Sequence, residues 1–267
     1  MQPKPIKYPY YWLALTMCIS LTANAQKLPN IQTGGVYAPA NVKVDGKATE
    51  WDNQLQAYNK STSLFYTMAN NNDNLYLTVQ VADKTIVDKI LGGGLTLTIS
   101  SNDKKVTPVS ITTPLLPGTN KTTVTRKTDS KEPLLDTDLP EINKSIAGGL
   151  KEIAVKGIAA IPDSAISVYN EYGIKVAGQL DINKAYTCEM AIPLKYLNQL
   201  TGTAGTFSYN MMLNGSKSSM AALIAQIPAS SIQTISVSAN GVMVNGSSMN
   251  DLMSPTDFSG AYTLIKK

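Results

Sequence analysis

The chain has no histidine among its 267 residues. That absence removes the Ser-His-Asp and Cys-His nucleophile systems. It also removes His-containing zinc and haem sites. Cysteine occurs only at Cys18 and Cys188, and tryptophan only at Trp12 and Trp51. There is no Asp-x-Asp-x-Asp-Gly calcium loop and no run of basic residues that would neutralise a phosphate backbone, so nucleic acid is not an expected partner. After Leu21 no stretch approaches eighteen consecutive apolar residues, the length a membrane span requires. The chemistry that survives is that of carboxylates, lysines, tyrosines and hard cations held by oxygen ligands.

The first residues read as an export signal. Lys4 and Lys7 form a positive start, residues 10–21 are mostly apolar but too short for a comfortable span, and Ala23-Asn24-Ala25 supplies the small-x-small cleavage pattern. The expected mature chain begins at Gln26. A lipoprotein reading through Cys18 is disfavoured because Met17, not a small residue, precedes it. Removal of 1–25 takes away Lys4 and Lys7, so the net charge falls from +4 to +2. It also leaves Cys188 alone, which rules out an intrachain disulfide in an oxidising compartment. Cys188 lies in a strand-like run, Tyr186-Thr187-Cys188-Glu189-Met190, and is expected to serve as a small buried apolar residue. The expected address is the periplasm or the medium, with no stable membrane insertion after cleavage.

What remains, 26–267, suits one large β domain that buries roughly 70% of its unfolded surface without staples. Alternating patterns predict strands over 42–44, 63–68, 75–81, 95–99, 106–111, 153–158, 166–169, 172–177, 186–192, 206–213 and 258–265. Pro108 would place its strand near a sheet edge. Residues 86–91 read as a short helix or a loop, short helices are expected over 141–147, 193–197 and 219–227, and a hairpin joins 232–237 to 242–244 across Asn240-Gly241. Residues 114–138 read as a long surface excursion. Short strands with frequent turn signals predict an all-β class, an antiparallel sandwich with a few short helices.

Four motifs stand in order along the chain. They are Asp45-Gly46 with Glu50-Trp51, then Leu75-Tyr76-Leu77 with Val81-Ala82-Asp83, then Glu189-Met190-Ala191-Ile192-Pro193-Leu194, then Pro255-Thr256-Asp257-Phe258-Ser259-Gly260. In this order the chain resembles the family 9 carbohydrate-binding modules and their relatives in the DOMON-like superfamily. The resemblance implies an immunoglobulin-like or jelly-roll sandwich, a non-catalytic role and a carbohydrate ligand. Asp45, Glu50 and Trp51 are expected to act structurally: a tight turn, a buried indole, and a carboxylate accepting from that indole or from backbone. The tryptophan clamp of the sugar-binding members is missing. Tyrosines are the plentiful rings, and Tyr66 and Tyr169 are the candidate ligand-binding pair. Structural calcium is left open at Asp73, Asp83, Asp181 and Asn183, with ordinary Asx turns as the competing reading. The alternative function is an accessory envelope protein that binds a protein partner and no sugar. A glycoside hydrolase is the remote alternative, since no motif singles out a carboxylate pair.

Overall fold

The computed structural model describes residues 27–52, 54–114, 137–215, 237–239, 242–244 and 252–267. The expected signal at 1–25, most of the excursion (115–136), the helix over 219–227 and the strand residues 232–236 lie outside the described residues. Two antiparallel sheets dominate. One has five strands in the order β1 (Ala57–Asn59), β2 (Leu64–Asn70), β3 (Asn74–Val81), β9 (Tyr186–Pro193), β8 (Lys175–Leu180). The other has six, in the order β13 (Thr256–Thr263), β10 (Thr206–Leu213), β4 (Leu95–Ser100), β5 (Val109–Thr113), β6 (Glu152–Lys156), β7 (Ala165–Ser167). A separate hairpin pairs β11 (Val237–Ala239) with β12 (Val242–Val244), as the Asn-Gly signal between them predicts. Among the described residues the α-helices are α1 (Lys84–Gly93), α2 (Leu139–Gly149) and α3 (Asn198–Thr201). The architecture is an all-β antiparallel sandwich.

Alternation builds the core. Leu64, Tyr66 and Met68 of β2, Leu75, Leu77, Val79 and Val81 of β3, and Cys188, Met190 and Ile192 of β9 face inward. They meet Leu95, Leu97 and Ile99 of β4, Ile111 of β5, and Phe207, Tyr209 and Met211 of β10 in one cluster. Strands from early and late in the chain lie side by side in both sheets: β3 beside β9, β4 beside β10. Neither sheet can form from one half of the chain alone.

The structure departs from the sequence reading in four places. Residues 42–44 form no strand; Val42 and Val44 pack instead against a second cluster of Trp51, Leu55, Tyr76 and Ala191 on the outer face of the five-stranded sheet. β5 is internal, between β4 and β6, because Pro108 stands just before it and leaves its ladder intact. β8 starts at Lys175 rather than 172, because Gly173 turns the chain at φ +80°. β1 carries too short a pattern to be read in advance.

Side-chain amides close exposed strand edges by imitating a neighbouring backbone. Gln32 Nε2 donates to the Met68 carbonyl and its Oε1 accepts from the Met68 N–H, both at 2.8 Å. Asn143 does the same for Leu180 at 2.9 and 2.8 Å, and Asn70 for Ile265 at 2.9 Å twice. Unpaired edge groups invite foreign strands, and these amides satisfy them.

Gly260 explains the closing motif. It pairs with Tyr209 across the β10–β13 ladder, and a β-carbon on it would overlap the Tyr209 ring and hydroxyl. That vacated space lets Tyr209 reach Tyr66, whose hydroxyl lies 2.9 Å from its own and accepts from the Gln32 N–H at 2.8 Å. Gly260→Ala is therefore expected to cost about 1–3 kcal/mol through overpacking. For a domain of this size that lowers Tm by roughly 2–4 °C per kcal/mol. A thermal melt with no shift would contradict the packing role.

Candidate functional site

The outer face of the five-stranded sheet carries the site. Strand register lines up one row across all five strands. Tyr58 of β1 faces Phe65 of β2, Phe65 faces Gln80 of β3, Gln80 faces Thr187 of β9, and Thr187 faces Gln179 of β8. Period-2 alternation aims these side chains away from the core that Leu64, Tyr66 and Met68 enter. The Tyr58 and Phe65 rings stack with centroids 4.5 Å apart and planes tilted 37°. Gln80 Nε2 donates to Thr187 Oγ1 at 3.1 Å.

The N-terminal segment 27–56 supplies the facing wall. Leu28, Gln54, Leu55 and Gln56 join Phe65 and Gln80 around an open groove of about 420 Å³. Two of the four exposed large apolar side chains among the described residues, Leu28 (37%) and Phe65 (39%), line this one groove. Among the described residues the remaining lining is three glutamines and Leu55, with no charged or titratable group. Such a lining can hold a ligand by stacking, apolar contact and amide hydrogen bonds, but offers no acid, base or nucleophile. A smaller depression of about 300 Å³ lies over the other end of the sheet, beside Val44, Tyr76 and Ala191, and carries Lys43 and Lys175.

The wall is held by one buried carboxylate. Glu189 of β9 is 2% exposed. Its Oε2 accepts from the N–H groups of Asp45 and Gly46, each at 3.0 Å, and its Oε1 from the Thr78 hydroxyl at 3.2 Å. Gln179 Nε2 adds a 2.7 Å bond to the Asp45 carbonyl. Gly46 is required twice: its φ is +83°, and a β-carbon would stand 2.9 Å from the Gln179 nitrogen. Burial raises the Glu189 carboxyl above the usual carboxylate range, the accepted hydrogen bonds pull it down, and the Glu50 charge adds to the rise.

The candidate tyrosines do not form a clamp. Tyr66 is fully buried and bonded within the core, so it presents no ring to a ligand. Its strand position shares the inward parity of Leu64 and Met68. Tyr169 is 94% exposed on the turn after β7 and is not among the groove-lining residues. Trp51 is buried as expected, but Glu50 accepts from Thr49 rather than from the indole. The Trp51 Nε1 is a buried donor with no partner among the described residues. Among the oxygen-rich positions, Asp83 caps α1 through the Ile86 N–H, and Asp181 accepts from the Asn183 and Ala185 N–H groups. Those are capping and Asx-turn roles. No group of three or more metal-ligating side chains occurs among the described residues. Cys188 is buried, and desolvation together with the Glu189 charge pushes its thiol up to about 12. Phe65 was overlooked in the sequence, although its parity with Thr67, opposite to Leu64, Tyr66 and Met68, marks it as outward-facing.

No family model matches the chain, and no curated protein matches it either.

The carboxylate makes a testable prediction. A carboxyl whose folded pKa is raised favours folding when protonated. Its contribution is fullest in acid and declines as pH rises through the raised value. Glu189→Gln keeps an acceptor for the two backbone donors and has no charge to desolvate. Its stability relative to wild type should therefore improve as pH rises from the ordinary carboxylate range through the raised value, and level off above it. Glu189→Ala should lose about 2–4 kcal/mol throughout that range. Parallel stability curves for wild type and Glu189→Gln would show that the carboxyl titrates normally.

Proposed function

We propose that this protein is a non-catalytic binding module, and that the groove beside Phe65 takes a neutral polyhydroxylated ligand, a carbohydrate by class. One observation carries the reading: the exposed Phe65 ring, packed against the half-buried Tyr58 ring, set beside three glutamine amides in a groove whose described lining carries no charge. The C–H face of a sugar stacks on such rings, and amides donate to and accept from its hydroxyls. A lining that among the described residues holds no carboxyl group favours binding over the hydrolytic reading. The resemblance to family 9 carbohydrate-binding modules points to the same ligand class by a different route. The candidate pair moves from Tyr66 and Tyr169 to Tyr58 and Phe65. The signal-like residues 1–25 support an address outside the cytoplasm.

The test is calorimetric titration with a panel of neutral oligosaccharides, followed by variants. Phe65→Ala should weaken binding at least tenfold, about 1.4 kcal/mol, and Gln80→Ala should weaken it measurably. Neither change should unfold a protein whose Phe65 is already partly in solvent. Failure of every neutral sugar to bind, or binding that both variants leave intact, would contradict the proposal.

A further inference from the structure

Among the described residues the six-stranded sheet ends on one side at β13, and its ladder leaves that edge without a neighbour. The hydrogen-bonded pairs of β10 and β13 can be fixed by parity. The Leu264 N–H donates to the Gly205 carbonyl at 2.9 Å, in the same register that pairs Tyr209 with Gly260. Even-numbered residues of β13 therefore point their backbone groups at β10, and odd-numbered ones point outward. The Ile265 N–H bears this out, since it turns away from β10 to Asn70.

The outward backbone groups of Asp257, Ser259 and Ala261 have no hydrogen-bond partner among the described residues, and all three residues are exposed. The window is closed at both ends. Pro255, which has no N–H, stands just before the strand. At the other end Asn70 occupies Ile265, and Gly35 lies so close to the Thr263 carbonyl that a β-carbon there would overlap it. Within the window there is no proline, lysine or bulge, the usual devices that repel a foreign strand. The contrast is internal to the molecule: Met68 and Leu180 each have an amide in place, whereas Ser259 does not.

We propose that the β13 edge binds a second copy of this chain. The two strands would pair antiparallel about a two-fold axis at Ser259 and join the two six-stranded sheets into one continuous sheet. The stops at Pro255 and Thr263 select this register, because it alone pairs all three open residues on both copies. Ser259 then faces its own copy, and Asp257 faces Ala261. Opposed serine hydroxyls are a favourable cross-strand pair, and no like charges meet. Asp257 is already held by Asn210 Nδ2 at 2.6 Å, which keeps its carboxylate over its own sheet. A two-fold pairing of this kind closes on itself and does not propagate into fibres.

Sedimentation velocity across the micromolar range tests the proposal, with Ser259→Pro and Ala261→Lys as variants. Ser259→Pro deletes an outward N–H that no bond among the described residues uses, and with it the Ser259 hydroxyl that accepts from Asn210 Nδ2 at 3.1 Å. Ala261→Lys adds an exposed charge to the edge without touching the ladder. The expected result is a dimeric wild type and two monomeric variants whose melting temperatures match a wild type diluted to monomer. If Ser259→Pro fails to fold, Ala261→Lys alone decides. A wild type that remains monomeric overturns the proposal, including the case in which an added extended peptide rather than a second copy protects the Ser259 amide from exchange. A dimer that survives both variants overturns it as well. The groove at Phe65 lies on the other sheet, so either result leaves the ligand proposal to its own test.

Discussion

Glu189 is the constraint on which the outer face depends. A carboxylate in the middle of a central strand has no business being 2% exposed unless its lone pairs are filled. Three donors fill them: the Asp45 and Gly46 amides and the Thr78 hydroxyl. Two of those donors belong to a segment with no strand of its own. The carboxylate thus turns residues 36–52 from a loose leader into a layer. That layer buries Tyr76 and Ala191 under Val42, Val44 and Trp51, which is why β9 is buried from Tyr186 to Ile192 on both faces. The same segment continues into Gln54, Leu55 and Gln56, the wall of the groove. Fold and candidate site therefore share one anchor.

A second device recurs at the edges. Gln32 and Asn143 each give a strand residue both a donor and an acceptor, in the geometry another strand would offer, and Asn70 does the same for Ile265 just beyond β13. One amide thereby spares the chain a whole extra strand. Gln32 and Asn70 also tie the N-terminal segment and the C-terminal tail to β2, and Tyr262 strengthens the link through its hydroxyl contacts to Val36 and Asn70. The two ends of the described chain are thus fastened at neighbouring points of the same sheet.

Much of the fold was legible because period-2 patterns are local. β3, β4, β6, β7, β9, β10 and β13 fall where alternation places them, to within a few residues. The site was less legible, and Phe65 with Tyr66 shows why. Two aromatic residues stand side by side, and a shift of one residue exchanges inside for outside. Leu64 and Met68 settle the matter in favour of a buried Tyr66, but only once the strand is taken as a unit. Glu189 was harder still. A lone charge in an apolar strand announces that a partner exists, but that partner lies 144 residues away in sequence at Asp45. Gln54 and Gln56 carry no pattern at all; they acquire a role only from the groove they border.

The account stands or falls on whether Glu189 holds the N-terminal segment against the sheet. The most direct measurement is amide hydrogen exchange at Asp45 and Gly46, compared between wild type and Glu189→Ala. The account predicts that both amides are protected in the wild type. In the variant their protection should collapse together with that of the 36–52 layer, while the inner strands β4 and β10 remain protected. Fast exchange at Gly46 in the wild type, or protection that the alanine variant leaves unchanged, would contradict it.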